Sequence, residues 1–435
     1  MKTTPIAVHQ LGPRNYPSPL LKDQIESLIE HRFVDDSLAL PYQLVEGLDQ
    51  EPQQYFELAG PRDRVFFAPG ECRAAIVTCG GLCPGLNNVI RSVFLELYYH
   101  YGVTEVLGVR YGYHGLNPAN GWPPLKLHLE DVSDIHETGG SILGTSRGPE
   151  SPEVMVNYLR ALGVNVLFTV GGDGTQRGAY AVHEEAVRQE YPLAVVGIPK
   201  TIDNDIQFVS RTFGFTTAVE EARDVIDSAH TEARAVLNGV GLVKLMGRDS
   251  GFIAAAAAVA SGEVNYCFIP EVRFELDGPA GLLKVLEERL ARKQHAMIVA
   301  AEGAGQDLIP RDDLKRDASG NVIHADIGTF LQGRIRAHFA AQGKPVNVRY
   351  IDPSYLIRSK KANTEDAILC DRLARYAVHA AMAGKSGLIV GLLHEKFIHV
   401  PTPLATSSRK KLDDRGPMWS AVLASTGQPL SFINS

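Results

Sequence analysis

Cysteine, long apolar runs and familiar metal or nucleotide signatures are scarce or missing in this sequence, and each absence narrows the reading. Its five cysteines (Cys72, Cys79, Cys83, Cys267, Cys370) are odd in number and form no C-x-x-C pair, which argues against a disulfide framework. Cys79 and Cys83 stand four apart with no histidine near, so zinc is not expected and all five read as reduced thiols. No run approaches the ~18 consecutive apolar residues of a membrane span. Phe252–Ala260 is short and alanine-rich, as suits a closely packed helix. The start of the chain lacks a basic-then-apolar signal pattern, so a cytoplasmic protein is expected. There is no G-x-G-x-x-G, no H-E-x-x-H and no serine-nucleophile setting. AGKSG (383–387) resembles the end of a P-loop, but the first glycine would fall at His379 and no strand leads in. No fixed-period repeat or low-complexity tract occurs. A formal net charge of −7 argues against broad nucleic-acid binding yet permits an anionic small molecule held by a local basic patch.

What is present is a repeated strand–loop–helix rhythm. Residues 1–70 are rich in proline and turn formers (Pro13, Pro17, Pro19, Pro41, Pro52, Pro61) and read as an extension that embraces the core or a neighbouring subunit. From Arg73 the rhythm begins: strand RAAIVTC, loop GGLCPG, a helical run, strand TEVLGVRYG. It returns in VNVLFTV, LAVVGIP, GVGLVKL, HAMIVAA, PVNVRYID and GLIVGLL, with helical patterns at Thr216–Ala229, Gly281–Lys293 and Thr364–Ala383. Short Val/Ile/Leu-rich strands alternating with helices predict a largely parallel α/β architecture. The segment 405–435, with its charged RKKLDDR, reads as a tail.

Val164–Asp205 carries the most chemistry. Strand, GGDGTQRGA, helix, strand and KTIDND form a βαβ unit whose crossover is almost always right-handed. Ligands of such sheets bind beyond the carboxyl ends of the strands, so Asp173, Asp203 and Asp205 are expected at one rim. Gly171, Gly172 and Gly174 bare the backbone around Asp173, at the positive end of the next helix. A carboxylate there is also a common structural cap. On an extended stretch Asp203 and Asp205 would face the same way, requiring a raised proton affinity or a nearby cation, with Lys200 and Thr201 beside them. Carboxylates, a threonine and glycines together suit a Mg²⁺-nucleotide and a proton acceptor, the parts of a phosphoryl-transfer site.

Other clusters are glycine-rich or basic. In GGLCPG, Gly80, Gly81 and Gly85 allow positive φ and let backbone N–H groups face an anion, or simply make a tight turn. GTSRGP sets Arg147 between glycines, KLMGRDSG sets Arg248 just after a strand, and YLIR ends in Arg358. Each arginine alone suits a solvated surface; three at strand–helix junctions suit an anion site.

These motifs in this order, with GYHGL, RTFGFTTAVE, AEG and YIDPSYLIR, resemble the phosphofructokinase family over roughly Arg73–Pro403, and within it the ATP-dependent plant and protist type. NAD and lipid kinases share GGDGT, but PKTIDND and MGR would have no purpose there. The resemblance implies two Rossmann-like three-layer α/β domains, the second inserted into the first: 71–215 with 357–386 for nucleotide, and 216–356 with 387–404 for sugar phosphate. It implies that Gly81, Arg147, Gly148, Gly172, Asp173, Gly174 and Thr175 hold ATP, with Asp173 toward Mg²⁺. Thr201, Ile202, Asp203, Met246, Gly247, Arg248, Glu302, Tyr355, Leu356, Ile357 and Arg358 would hold fructose 6-phosphate. Asp203 would take the proton, with Thr201 and Asp205 in the catalytic group, and the chain would form homodimers or homotetramers without nucleic acid or membrane.

Two positions depart from the simplest pattern. Pyrophosphate-using relatives usually carry aspartate where this chain has Gly174, whose absent side chain leaves room for the α-phosphate of ATP. Lys200 instead resembles those pyrophosphate users; plant and protist ATP enzymes combine Gly and Lys, as here. ATP is therefore the expected donor, with pyrophosphate as the alternative and a non-catalytic regulatory subunit as a remoter one. Bacterial relatives place a substrate-phosphate arginine seven residues before the methionine of MGR; here that position is Gly239, leaving Arg234, Arg349 or a neighbour's arginine as substitutes.

Overall fold

The structure is a computed structural model, described here for residues 5–21, 33–44, 54–310, 316 and 322–434. The chain divides into two compact units. The first comprises Met1–Thr201, Ile206–Gly214 and Ser359–Ser408; the second comprises Ile202–Asp205, Phe215–Arg358 and Arg409–Ser435.

The first unit is built on a seven-stranded mixed sheet. Its centre is parallel: Arg73–Thr78 lies between Glu105–Val109 and Val166–Gly171, and Val166–Gly171 pairs in turn with Ala194–Pro199. The central strands Val166–Gly171 and Ala194–Pro199 are buried at every position, as continuous apolar runs demand when helices cover both faces. Met155, Leu159, Val182 and Ala186, on helices Pro152–Ala161 and Asp173–Arg188, pack with Ala75, Val77, Leu167 and Val195 in one apolar cluster.

Apart from shifts of a few residues (Phe215, Ile357 and Arg358 fall in the second unit and 405–408 in the first), the partition differs from the expected one at three places. Leu388–Leu393, expected in the second domain, pairs parallel with Ala194–Pro199 in the first unit (Val196 opposite Leu388). It then turns through His394 and Glu395, both at positive φ, into the antiparallel strand Lys396–Pro401. Local sequence signals a strand but not its partner. Second, residues 409–435 are no tail: they belong to the second unit and contain the helix Pro417–Thr426. Phe432 packs in that unit's core, against Tyr266, Phe268 and Phe274. Third, Ile202–Asp205 belongs to the second unit rather than the first.

The described part of the N-terminal stretch belongs to the first unit; the remainder of 1–70, Pro52 included, lies outside the described residues. His9–Gln10 pairs antiparallel with Lys385–Ser386. A buried ion network ties this stretch down: Glu57 contacts Arg62 at 2.7 Å, Lys385 at 2.9 Å and His399 Nδ1 at 2.9 Å. Lys385 of the P-loop look-alike is thus engaged with a carboxylate. Burial alone would raise the Glu57 carboxyl, but its hydrogen bond from His399 and the charges of His399 and Lys385 outweigh that and hold it down at about 2.

The second unit has a four-stranded parallel sheet, ordered Tyr266–Phe268, His295–Ala301, Gly239–Leu245, Asn347–Ile351. Leu282–Lys293 and Ile327–Ala341 bury Leu283, Leu286, Leu331 and Phe339 against it. Phe252–Ser261 is the closely packed alanine helix the sequence predicts, with Ala254, Ala255, Ala257 and Ala258 fully buried.

Candidate active site

In the first unit, several loops at the carboxyl ends of the strands are stitched together. The Cys79 N–H donates to Val170 O at 3.0 Å and the Lys200 N–H to Gly171 O at 3.0 Å, carrying the ladder past the strand ends. Gly80 N–H donates to Ser146 O at 2.9 Å, and Thr145 Oγ1 returns a bond to Gly80 O at 2.7 Å. The buried Lys200 ammonium donates to Gly81 O at 2.6 Å, so this lysine acts as a clamp between loops. Gly81, Arg147, Gly148, Gly172, Asp173, Gly174, Thr175, Lys200 and Thr201 are thereby gathered along one edge.

The two glycines that matter here differ in their surroundings. A Cβ on Gly81 would lie 3.3 Å from the Arg147 guanidinium, so the bare backbone lets that cation approach. Gly174 is exposed, and a Cβ there would meet nothing within 4 Å. Protein packing therefore does not require glycine at 174, and the space above it is open to a ligand. Asp173 opens the helix Asp173–Arg188 and pairs with Arg177 at 2.5 Å. Tyr113 OH donates to Thr175 O at 2.6 Å, and buried Gln176 Nε2 donates to Gly171 O at 2.9 Å, fixing the start of that helix. Thr201 O accepts from Thr212 Oγ1 at 2.6 Å.

The second unit holds the other residue set. Asp203 and Asp205 are not on an extended stretch, as the spacing suggests, but on a turn with Asn204 at φ 54°. Asparagine tolerates that left-handed geometry through its short polar side chain. Ser250 Oγ donates to Asp203 O at 3.1 Å. Desolvation, then the negative charges of Asp205 and Glu302, push the Asp203 carboxyl up to about 7, against the pull of Arg358 and Arg409. A carboxyl so tuned can accept a proton near neutrality.

The loop after Gly239–Leu245 lies against the loop after His295–Ala301. Glu302 N–H donates to Leu245 O at 2.8 Å, and a Cβ on Gly303 would sit 1.9 Å from Arg248 O. Gly247 takes φ 124°. Arg248 Nη1 donates to Val322 O at 2.9 Å, and its carbonyl is 3.2 Å from His324 Nε2. Met246, Ile357 and Ile202 are buried and hold their loops by packing, whereas Tyr355 and Leu356 are exposed. Lys244, beside the MGR loop, bonds Asp352 at 2.8 Å; Asp352 accepts the Ser354 N–H at 3.1 Å and so anchors the short helix Ser354–Arg358.

Two features were not foreseen. Arg409 and Lys410, read as part of a charged tail, contact Asp205: Arg409 Nη1 is 3.9 Å from Asp205 Oδ2, and Lys410 N–H donates to Asp205 O at 2.9 Å. A run of charge carries no signal of its partner. Gly239 is tightly enclosed, since a Cβ there would lie 2.0 Å from Ala233 O. It opens its strand, at the end away from Met246, with Arg349 opposite Gly241.

The family model described as Phosphofructokinase matches residues 73–381. The chain belongs to the phosphofructokinase family. Among its relatives, the ATP-dependent 6-phosphofructokinase of Borreliella burgdorferi is 44% identical, over 98% of this chain and 97% of the relative. ATP-dependent 6-phosphofructokinase 1 of Arabidopsis thaliana is 45% identical over 95% and 88%, and the Entamoeba histolytica enzyme named ATP-dependent 6-phosphofructokinase 43% over 96% and 97%. Among solved structures, the pyrophosphate-dependent phosphofructokinase of Marinobacter aquaeolei superposes with a TM-score of 0.69 at 20% identity, covering 84% of this chain and 93% of that one, a likeness of fold. The plant and protist relatives bear out the resemblance read from the motifs. No described helix is long and apolar enough to cross a membrane.

Proposed function

We propose that this phosphofructokinase transfers the γ-phosphoryl group of ATP to the 1-hydroxyl of fructose 6-phosphate, yielding fructose 1,6-bisphosphate and ADP. The mechanism is carried by Asp203, set on the Asn204 turn with its carbonyl held by Ser250 Oγ and its carboxyl faced by the negative charges of Asp205 and Glu302, surroundings that raise its proton affinity. As the sugar O1–P bond forms and the bond from phosphorus to the β–γ bridging oxygen breaks, Asp203 takes the hydroxyl proton. Transfer of this kind is mostly positioning and charge neutralisation, to which Arg147 on the donor side and Arg248 and Arg358 on the sugar side contribute. Base catalysis supplies about 10²–10⁴-fold.

Magnesium fits the residues present. No group of three or more acidic, histidine or cysteine side chains suited to a metal occurs among the described residues. Mg²⁺ carried on nucleotide phosphates needs only one or two protein carboxylates. Asp173, beside the open space over Gly174, would hold it. Held there, it would supply neutralising charge to the donor's phosphates.

ATP is the donor favoured by Gly174; pyrophosphate is the second reading, because Lys200, which here clamps Gly81, resembles pyrophosphate users when taken without Gly174. The strand Gly239–Leu245 puts Gly239 about 23 Å from Met246, and Arg349, opposite Gly241, about 16 Å. Arg234 closes the helix that leads into that same remote end of the strand, so a second copy supplying the phosphate-binding arginine is the reading we favour, in a homodimer or homotetramer. Five buried free thiols suit the cytoplasm.

The test is an assay of fructose 6-phosphate with ATP and with pyrophosphate side by side, on the native protein and on Asp203→Ser. Turnover with ATP that falls at least about 10²-fold in the variant, with sugar-phosphate binding retained, is expected. Near-native turnover in Asp203→Ser would remove the base, and pyrophosphate preference would reverse the donor.

A further inference from the structure

We infer that Arg409 is a positioning residue for the Asp203–Asp205 turn, held there by a strap formed by residues 409–412. The inference rests on the proposed role of Asp203. Within the second unit the strap is fixed at several points. Lys410 N–H donates to Asp205 O at 2.9 Å, and Leu412 N–H donates to Glu271 Oε1 at 2.8 Å. The same Glu271 oxygen accepts the Gly251 N–H at 3.0 Å. The Lys410 ammonium lies 5.0 Å from the centre of the Phe252 ring. Ser250 Oγ, on the segment that Glu271 holds, donates to Asp203 O. Strap, acidic turn and the 249–252 segment therefore form a closed circuit, and the Arg409 guanidinium sits inside it, paired with Asp249 and 3.9 Å from Asp205 Oδ2.

The charge arrangement gives that position a purpose. Asp203 is faced by the carboxylates of Asp205 and Glu302 and by the cations of Arg358 and Arg409; Asp205 is faced by Arg409 and Lys410, and Arg409 also by Asp249. The two carboxylates of the turn and the nearby Glu302 repel each other, so without sufficient cation the turn either opens or takes up a proton at the base. Arginine suits the task because it stays charged at any working pH, and here its Nη1 faces both Asp249 and Asp205.

The experiment compares the pH dependence of kcat and kcat/KM for the native enzyme, Arg409→Met, Arg409→Lys and Asp203→Ser, each with thermal unfolding. Arg409→Met should move the acid limb of kcat/KM for fructose 6-phosphate to higher pH by about half a unit to one unit. Activity near pH 7 should fall several-fold and recover toward the native value at pH 9, with KM for ATP unchanged. Arg409→Lys should restore most of the profile. A uniform loss at every pH, unrelieved by lysine, would make the strap a structural element only and overturn the inference. So would an unmoved acid limb. If Asp203→Ser keeps native turnover, the catalytic reading itself fails; if it collapses while Arg409→Met behaves as native, only the inference about Arg409 fails.

Discussion

Replacing Gly174 with aspartate puts a charge where the structure has open space. The new Cβ meets no atom within 4 Å, and the position is the second residue of the helix Asp173–Arg188, so the fold should accept it. Two local effects favour the variant: glycine in a helix costs roughly 1 kcal/mol, and a carboxylate in the first turn gains about 0.3–1 kcal/mol from the helix dipole. The unfolding midpoint should therefore stay level or rise slightly. Toward a nucleotide the sign reverses. Two like charges about 4 Å apart repel by about 1 kcal/mol in water and about 4 kcal/mol at the effective dielectric of a protein surface. At 1.36 kcal/mol per decade, that spans about five-fold to about a thousand-fold in rate. A bound nucleotide displaces water from the loop, so a fall of about 10²-fold in kcat/KM for ATP is expected, with KM for fructose 6-phosphate little changed. A coupled ADP-release assay at saturating sugar phosphate, run beside a thermal melt, reads both quantities. ATP kinetics identical to the native enzyme in a well-folded variant would refute the claim that the space above residue 174 belongs to the donor's phosphates.

Other outcomes follow from the same geometry. Asp173→Ala should raise the magnesium concentration needed for half-maximal activity at least ten-fold, since about 1.4 kcal/mol of metal binding is a modest loss for one carboxylate; unchanged magnesium titration would remove Asp173 as the ion's contact. Gly303→Ala must push against the Arg248 carbonyl 1.9 Å away, and should cost about 1–3 kcal/mol of stability in urea unfolding and raise KM for fructose 6-phosphate; a silent substitution would mean the two loops are not held together. Glu57, whose folded carboxyl titrates at about 2 against an ordinary 4.5, contributes stability that is complete above about pH 4.5 and is lost as the pH falls toward 2. Glu57→Gln should therefore destabilise at pH 7 by about 3–5 kcal/mol and differ much less from the native protein near pH 2; an equal deficit at both pH values would contradict this.

Much of the framework was readable before the structure. The strands GVGLVKL and HAMIVAA coincide with Gly239–Leu245 and His295–Ala301, because apolar β-branched runs bounded by turns have few other uses. The glycine loops were readable too, since strand–glycine–helix order puts them at the carboxyl ends of parallel strands. What failed were questions of partnership. Leu388–Leu393 is an unmistakable strand whose neighbour lies almost two hundred residues earlier, and nothing local names that neighbour. Arg409 and Lys410 have the composition of a solvated face, and only the fold brings them to Asp205. The Asp203–Asn204–Asp205 turn did leave a trace: asparagine between two aspartates is a residue suited to positive φ, which should have tempered the extended reading.

The order in which the first unit's sheet is completed has a consequence for synthesis. Ala194–Pro199 leaves the ribosome long before Leu388–Leu393, the strand that covers its free side. At ~5–20 residues per second, that gap corresponds to roughly ten to forty seconds of translation. Throughout it, a strand with every residue apolar, glycine or proline presents unpaired amides to its surroundings. The nascent chain is therefore a natural client for chaperones, and premature termination anywhere between the two strands would release an aggregation-prone fragment rather than a smaller soluble domain.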